Sequence, residues 1–367
     1  MSGPEDSASK RLPGEGPALV QDVLGYISGH GSDFDALALR ALQYQARHNL
    51  PYARFLKAMG CDPETFGHWT DVPPLPTSAF KDAVLSTGSG VHTFTTSGTT
   101  RGGERRGQHH LPTLDLYAAS WPEPFRRALL PDTDRMLIVG LVPDWSEVPE
   151  SSLAYMVRGV IRRFGKPGSR SYLSKEKLHV TQLANGLGDA SENGEPVLIL
   201  ATALALDAFL DAVVAPIRLV AGSRIMDTGG FKGRKREVSR SEMLERYQDR
   251  LGIPPSHVVG EYGMTELSSQ AYEGSLQDSQ RTFANAVRRY QGPAWLPTRV
   301  LDPVTLQEVP PGETGLLAHC DLANACTVSS VVTEDLGRMH DDGFEVLGRA
   351  PGADLRGCSL LTEEITG

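Results

Sequence analysis

Residues 93–107 read TFTTSGTTRGGERRG, with Thr95, Thr96, Ser97, Thr99 and Thr100 crowded around Gly98, then Arg101, Arg105 and Arg106. Such a turn can wrap a polyphosphate: glycine permits close backbone approach, amides form an anion nest, and hydroxyls donate to oxygens. A Ser/Thr-rich surface turn has the same composition, so the stretch alone leaves both readings open. It is neither a Walker loop nor a dinucleotide fingerprint, since Gly88-Ser89-Gly90 lacks a third glycine. Two distant segments bear on it. In VVGEYGMTELSSQAY (258–272), an apolar lead brings Tyr262, Thr265 and Glu266 onto one short turn. The ring can stack on a base, the hydroxyl can meet a phosphate, and the carboxylate can hold Mg²⁺. In VVTEDLGRMHDDGFEVLGRAPG (331–352), Asp335 is expected to follow a strand and can accept hydrogen bonds from two ribose hydroxyls.

These residues need a scaffold. After a polar start that reads as a disordered tail over 1–17, Ser32 to Met59 is helix-rich, and VPPLPTSAFKD (72–82) is an extended connector. A helical pattern spans Leu114 to Leu130. MLIVGLVP, EPVLILATAL and IRLVAGSRIMDTGG then read as strands, alternating with the helical SSLAYMVRGVIRRFG, LDAFLDAVVA and SRSEMLERYQDRLG. The last has Ser239 or Ser241 as its cap and Gly252 as its stop. That alternation predicts an α/β fold with mostly parallel sheet flanked by helices. From about Pro293 the runs become short and β-like, and Asp341-Asp342-Gly343 reads as a hairpin turn with Gly348-Arg349 closing the next strand. The expected organisation is a tail over 1–17, an α/β core over 18–292 and a β-rich subdomain over 293–367.

Composition narrows the partners. Acidic residues outnumber basic ones, 45 to 36, for a net charge of −9, which disfavours nucleic acid and anionic lipid surfaces. No apolar run is long enough to span a bilayer, and no secretory segment is recognisable, so a cytoplasmic location is expected. The four cysteines (Cys61, Cys320, Cys326 and Cys358) form no CxxC pair and read as reduced thiols. For Cys320 and Cys326, in strand-like runs, core packing is the expected role.

Thr96-Ser97-Gly98-Thr99-Thr100, Tyr262-Gly263-Met264-Thr265-Glu266, and Thr333-Glu334-Asp335-Leu336-Gly337 with Gly348-Arg349 occur in that order. Together they resemble the adenylate-forming superfamily of acyl-CoA synthetases, peptide-synthetase adenylation domains and luciferases. With PPLPTSAFK, MDTGGFKGR and GRAPGADLRGCSL, the chain is more closely similar to the LuxE-type acyl-protein synthetases, over roughly residues 70–360. The resemblance implies the superfamily's N-terminal-type fold with a small C-terminal β subdomain, and ATP-dependent, AMP-forming activation of a carboxylic acid, a fatty acid in this family, with acyl transfer to an enzyme cysteine or a partner. It also implies site roles. Thr96, Ser97, Gly98, Thr99 and Thr100 line the ATP phosphates; Gly229 and Gly230 flank adenine. Tyr262 and Gly263 border adenine and the acyl pocket. Thr265 meets the α-phosphate, Glu266 holds Mg²⁺, Asp335 binds ribose, and Arg349 is a hinge or phosphate contact. Cys358 falls where the acyl-accepting cysteine is expected, and His109 is a candidate substrate or phosphate contact. A reductase, acyltransferase or carrier protein is the implied type of acceptor.

Arg101 stands where the superfamily loop has glycine, and only Arg105 or Arg106 can supply its later cation. The mobile C-terminal lid with its catalytic lysine is expected to be absent, because the sequence stops shortly after Arg349. Two other readings stay open. One is an acyl- or aryl-CoA ligase of the phenylacetate type, with Cys358 structural. The other is a non-catalytic nucleotide-binding scaffold.

Overall fold

The protein is described by a computed structural model over residues 11–31, 33–96, 105–229, 239–274, 276 and 289–350. The chain forms two compact units, each assembled from separated segments. Residues 1–121, 264–270 and 291–367 make the first, and 122–263 with 271–290 the second.

The first unit begins with α1 (Gly16–Ile27), α2 (Phe34–His48) and α3 (Leu50–Ala58). Helix α1 starts within the stretch read as a tail, and Leu12 ahead of it is buried. The Asp33 carboxylate caps α2 by accepting from Ala36 N, and Asn49 does the same for α3 from Tyr52 N. The short β1 (Leu75–Pro76) follows, then the hairpin β2 (His92–Thr95) and β3 (Gln108–Leu111), and α4 (Asp115–Ser120).

In the second unit, α5 (Pro122–Leu129), β4 (Leu137–Leu141), α6 (Ser152–Phe164) and β5 (Arg170–Ser171) lead into α7 (Val180–Glu192). Next come β6 (Val197–Thr202), α8 (Ala203–Ala212), β7 (Arg224–Thr228), α9 (Arg240–Leu251) and β8 (Val258–Tyr262). The parallel order is β5-β4-β6-β7-β8, and β9 (Ala271–Glu273) adds antiparallel to β8. Alternate strand residues point to opposite faces. Ile199, Ala201, Ile225 and Val258 pack with Leu183, Leu206, Phe209 and Tyr247 of α7, α8 and α9. Ser239 caps α9 by accepting from Glu242 N, and Gly252 ends it at φ 74°. Helix α7 was not expected: Gly186 and Gly188 weaken its helical signal, but burying Leu183, Leu187 and Ala190 along one stripe fixes it.

The chain re-enters the first unit after β10 (Tyr290–Gln291) with β11 (Thr298–Leu301), β12 (Gly315–Cys320), β13 (Ser330–His340) and β14 (Gly343–Arg349). These four are antiparallel neighbours, and β1 pairs parallel with β13. Asp341 and Asp342 form the two-residue turn between β13 and β14. Asp335 lies within β13 rather than after it, because its partner strand β14 continues the pairing to Arg349. These strands do not stand alone: Trp295, Cys320 and Leu322 share a core with Leu19, Val23 and Tyr44. Gly337 shows why glycine ends the TEDLG motif. A Cβ there would lie 2.4 Å from the Glu345 carbonyl oxygen and 2.5 Å from Leu317 Cδ2. Gly337→Ala is therefore expected to cost about 1–3 kcal/mol or more in urea unfolding, by wedging β13 away from a backbone that cannot yield. No helix among the described residues is long and apolar enough to cross a membrane.

Candidate active site

In the first unit, the β2–β3 hairpin carries the hydroxyl-rich loop on its end. Thr96 N donates to Gly107 O at 2.9 Å, and Gly107 N donates to Thr96 Oγ1 at 3.0 Å. Arg106 Nε donates to Thr96 O, so one of the loop arginines is spent on closing its base. Ser97, Gly98, Thr99, Thr100, Gly230 and Cys358 lie outside the described residues.

Glu266 sits beside that base. A Cβ on Gly107 would lie 3.0 Å from Thr96 Cγ2 and 3.5 Å from Glu266 Oε1, so glycine there lets the carboxylate approach. The turn carrying Glu266 is tied down from behind. Asn324 Nδ2 donates to Glu266 O at 2.8 Å, while Ser268 N and Ser269 N donate to Asp321 Oδ2 at 2.8 and 2.9 Å. Burial pushes the Glu266 carboxyl up to about 7, opposed first by a hydrogen bond from its own backbone N–H and then by Arg349 and Lys81, while Glu334 adds to the rise. A buried carboxyl that stays raised despite these contacts suits a cation that arrives with a ligand. Among the described residues no three His, Cys, Asp or Glu side chains gather to hold a metal alone. Glu266 thus fits a Mg²⁺ ion that takes its remaining ligands from phosphate and water.

His109, on β3, is buried. Its Nδ1 lies 2.8 Å from Thr265 O and its Nε2 lies 3.0 Å from Thr327 Oγ1. The carbonyl can only accept, so Nδ1 carries the proton. Burial lowers the imidazole to about 4, keeping it neutral. With both nitrogens engaged inside the protein, His109 positions Thr265. His109→Ala should cost about 2–4 kcal/mol in chemical unfolding at pH 7.5. The wild-type stability from this group is lost as pH falls from 6.5 towards 4, because the unfolded chain binds a proton that the buried ring refuses.

Asp335 and Arg349 face each other across β13 and β14, with Arg349 Nε 3.6 Å from Asp335 Oδ1 and Nη1 3.4 Å from Glu334 Oε2. Arg349 remains exposed, so its guanidinium can reach a ligand while tethered to the strand.

The second unit holds the other predicted residues at the carboxyl ends of β7 and β8, where open α/β sheets bind ligands. Gly229 follows β7 at φ 74°, and Tyr262, the last residue of β8, lies 5.8 Å ring to ring from Tyr290. Gly260 is hemmed in by Glu273 and by the Tyr290 hydroxyl, and its N–H donates to Glu273 Oε2 at 2.7 Å. Arg240 bridges Asp227 and Glu273 beneath them. Sequence reasoning missed two groups. Lys81, at the end of PLPTSAFK, contributes positive charge to Glu266. Glu261 is buried beside Thr228, and an acid inside the apolar lead VVGEY was the available signal.

The sequence model of the family described as acyl-protein synthetase, LuxE, matches residues 166–366, more than half of the chain. A long-chain-fatty-acid–luciferin-component ligase from Vibrio harveyi is 22% identical over 344 residues, covering 87% of this chain and 84% of that protein. Its namesake from Aliivibrio fischeri is 24% identical over 147 residues, and there the match spans only 37% of this chain and 36% of the relative. An open conformation of 2-hydroxyisobutyryl-CoA ligase, in complex with 2-HIB-AMP and CoA, superposes with a TM-score of 0.59 at 14% identity. That superposition covers 95% of this chain and 74% of the ligase, and shows a shared fold. The adenylate-forming type of α/β fold and the family match agree: the chain belongs to the LuxE family of acyl-protein synthetases.

Proposed function

We propose that this protein activates a carboxylic acid with ATP to an acyl-adenylate and then carries the acyl group on Cys358. The observation that supports this best is the buried, under-compensated Glu266 at the base of the hydroxyl-rich loop. The names of the two luciferin-component ligases favour a long-chain fatty acid as the substrate class.

In the first step a substrate carboxylate oxygen attacks the α-phosphorus, and the bond to the β-phosphate breaks to release pyrophosphate. Thr96 to Thr100 donate hydrogen bonds to the phosphates, and Thr265, held by His109, meets the α-phosphate. Mg²⁺ on Glu266 would supply charge neutralisation for the departing pyrophosphate. Asp335 accepts from the ribose hydroxyls, and Arg349 balances the phosphate charge from the adjacent strand. Gly229, Gly230, Tyr262 and Gly263 border the adenine, where the Tyr262 ring offers a stacking face. Such a reaction needs mainly positioning and charge stabilisation. In the second step the Cys358 thiol yields its proton to solvent, and its sulfur attacks the acyl carbonyl. The carbonyl–phosphate bond breaks, AMP leaves and a thioester remains. A reductase, acyltransferase or carrier protein is the proposed final acceptor.

Acid-dependent ATP–pyrophosphate exchange tests the first step. Exchange is expected with one or more acids of a broad panel, and its absence with every acid overturns the reading. Asp335→Asn should raise the KM for ATP about tenfold while kcat changes little, as expected for a group that holds ribose equally in ground and transition states.

A further inference from the structure

Within the first unit, the 3₁₀ turn Thr77–Lys81 packs against the segment that carries Glu266. Pro76 leads into it at φ −60°, and Leu75 and Pro76 pair with Val331 and Val332 of β13. What the turn buries fixes its place. Ala79 and Phe80 share a core with Met264 and Leu267, the residues on either side of Thr265 and Glu266. The Phe80 ring also meets His109 edge-on at 5.4 Å, and His109 in turn bonds the Thr265 carbonyl. The next residue, Lys81, is exposed, where this packing gives way to solvent. From there its charge acts on the Glu266 carboxyl.

The other cations near Glu266 have commitments of their own. Arg106 donates to the carbonyl oxygens of Thr95 and Thr96, closing the base of the hydroxyl-rich loop. Arg349 is tethered to Glu334 and Asp335 across the β13–β14 pair. A departing phosphate group needs a charge that can follow it. Lysine suits that task, because its ammonium is a point charge on a flexible four-carbon stem, whereas the planar arginine fork favours one fixed geometry. The chemistry also calls for more positive charge. Mg·ATP keeps a net negative charge, the Glu266 carboxylate adds to it, and further charge builds on the bridging oxygen as pyrophosphate leaves.

We propose that Lys81 is a catalytic residue that binds the β- and γ-phosphates of ATP and stabilises pyrophosphate as it departs. The departure step rests on the adenylation reading above. The electron pair of the broken bond between the α-phosphorus and the bridging oxygen goes to the pyrophosphate, and Lys81 transfers no proton.

The test compares wild type with Lys81→Met, which keeps a long stem without charge, and Lys81→Arg, which keeps the charge. Calorimetric binding of ATP and of AMP is measured beside ATP–pyrophosphate exchange and urea unfolding. Lys81→Met should bind ATP about tenfold or more weakly, the loss of one charge-assisted contact, and AMP as wild type does. AMP lacks the phosphates that the ammonium would hold. Exchange should fall about a hundredfold in Lys81→Met. Lys81→Arg should recover part of both losses, and the unfolding midpoints should coincide. If Lys81→Met binds ATP as tightly as wild type and exchanges within about twofold of it, the proposal is overturned and adenylation stands. Equal losses of ATP and AMP affinity with a lower unfolding midpoint also overturn it, since Lys81 would then support the turn and not the phosphates. No exchange with any acid in wild type, but an ATP-specific loss in Lys81→Met, overturns adenylation and keeps Lys81 as a phosphate ligand. Neither exchange nor an ATP-specific loss overturns both.

Discussion

Glu266→Gln is expected to lower ATP–pyrophosphate exchange by about 10²- to 10³-fold, the loss typical of removing one preorganised charge-stabilising group. The same substitution should make the ligand-free protein more stable at pH 8, which separates a functional carboxylate from a structural one. In the folded chain burial raises this carboxyl from 4.5 to about 7. The native state therefore holds the proton longer than the unfolded one. Stability falls as pH rises from about 4.5 through 7, and the full cost is present above that. For this group the cost is on the order of 3 kcal/mol, which glutamine avoids. Denaturant titrations at pH 4.5 and 8 should show wild type and variant converging at the lower pH and separating at the higher. Saturating Mg·ATP should reverse the order at pH 8, since only wild type gains the metal-bridged contact. A variant less stable than wild type at both values would mean that Glu266 serves packing instead.

Cys358→Ala is expected to abolish covalent acylation while leaving pyrophosphate exchange within a few-fold of wild type. Intact mass after incubation with ATP and a competent acid should rise by the mass of the acid less one water, and neutral hydroxylamine should remove the increment, as for a thioester. The other thiols make poor substitutes. Burial pushes Cys320 and Cys326 up to about 12, and Cys61 is raised as well. Only a small thiolate fraction is available from them to attack at neutral pH. An equal mass gain in Cys358→Ala would place the acyl group elsewhere and favour direct transfer to an external acceptor such as CoA.

The strand and helix alternation from β4 to β8, the cap and stop of α9, and the Asp341-Asp342 turn were legible because each is set by local periodicity or turn chemistry. Helix α1 was hidden behind a polar leader, and α7 behind two glycines, because tertiary burial decides both. The site divides in the same way. Residue types at spaced motifs suggested candidate ATP-binding side chains, yet nothing local says that His109 is neutral. Its partners Thr265 and Thr327 lie 156 and 218 residues away in sequence. The raised carboxyl of Glu266 likewise depends on Gly107 and on the tether from Asn324.

The way the first unit is assembled also sets a schedule for its synthesis. Leu75 pairs with Val331, and Gln45 and Asn49 are satisfied by the backbone at Asn324, Ala325 and Thr327. When α1 to α4 leave the ribosome, the strands that must cover them have not been translated. Residues 122–263 form most of the second unit as one continuous stretch, so that unit can mature first. The opening helices meanwhile wait with apolar faces unburied, and loop closure over some 250 residues slows their completion. The first unit, which carries Thr96, Glu266 and Asp335, is thus the last part of the chain to become native, and its opening helices stay uncovered until β13 arrives.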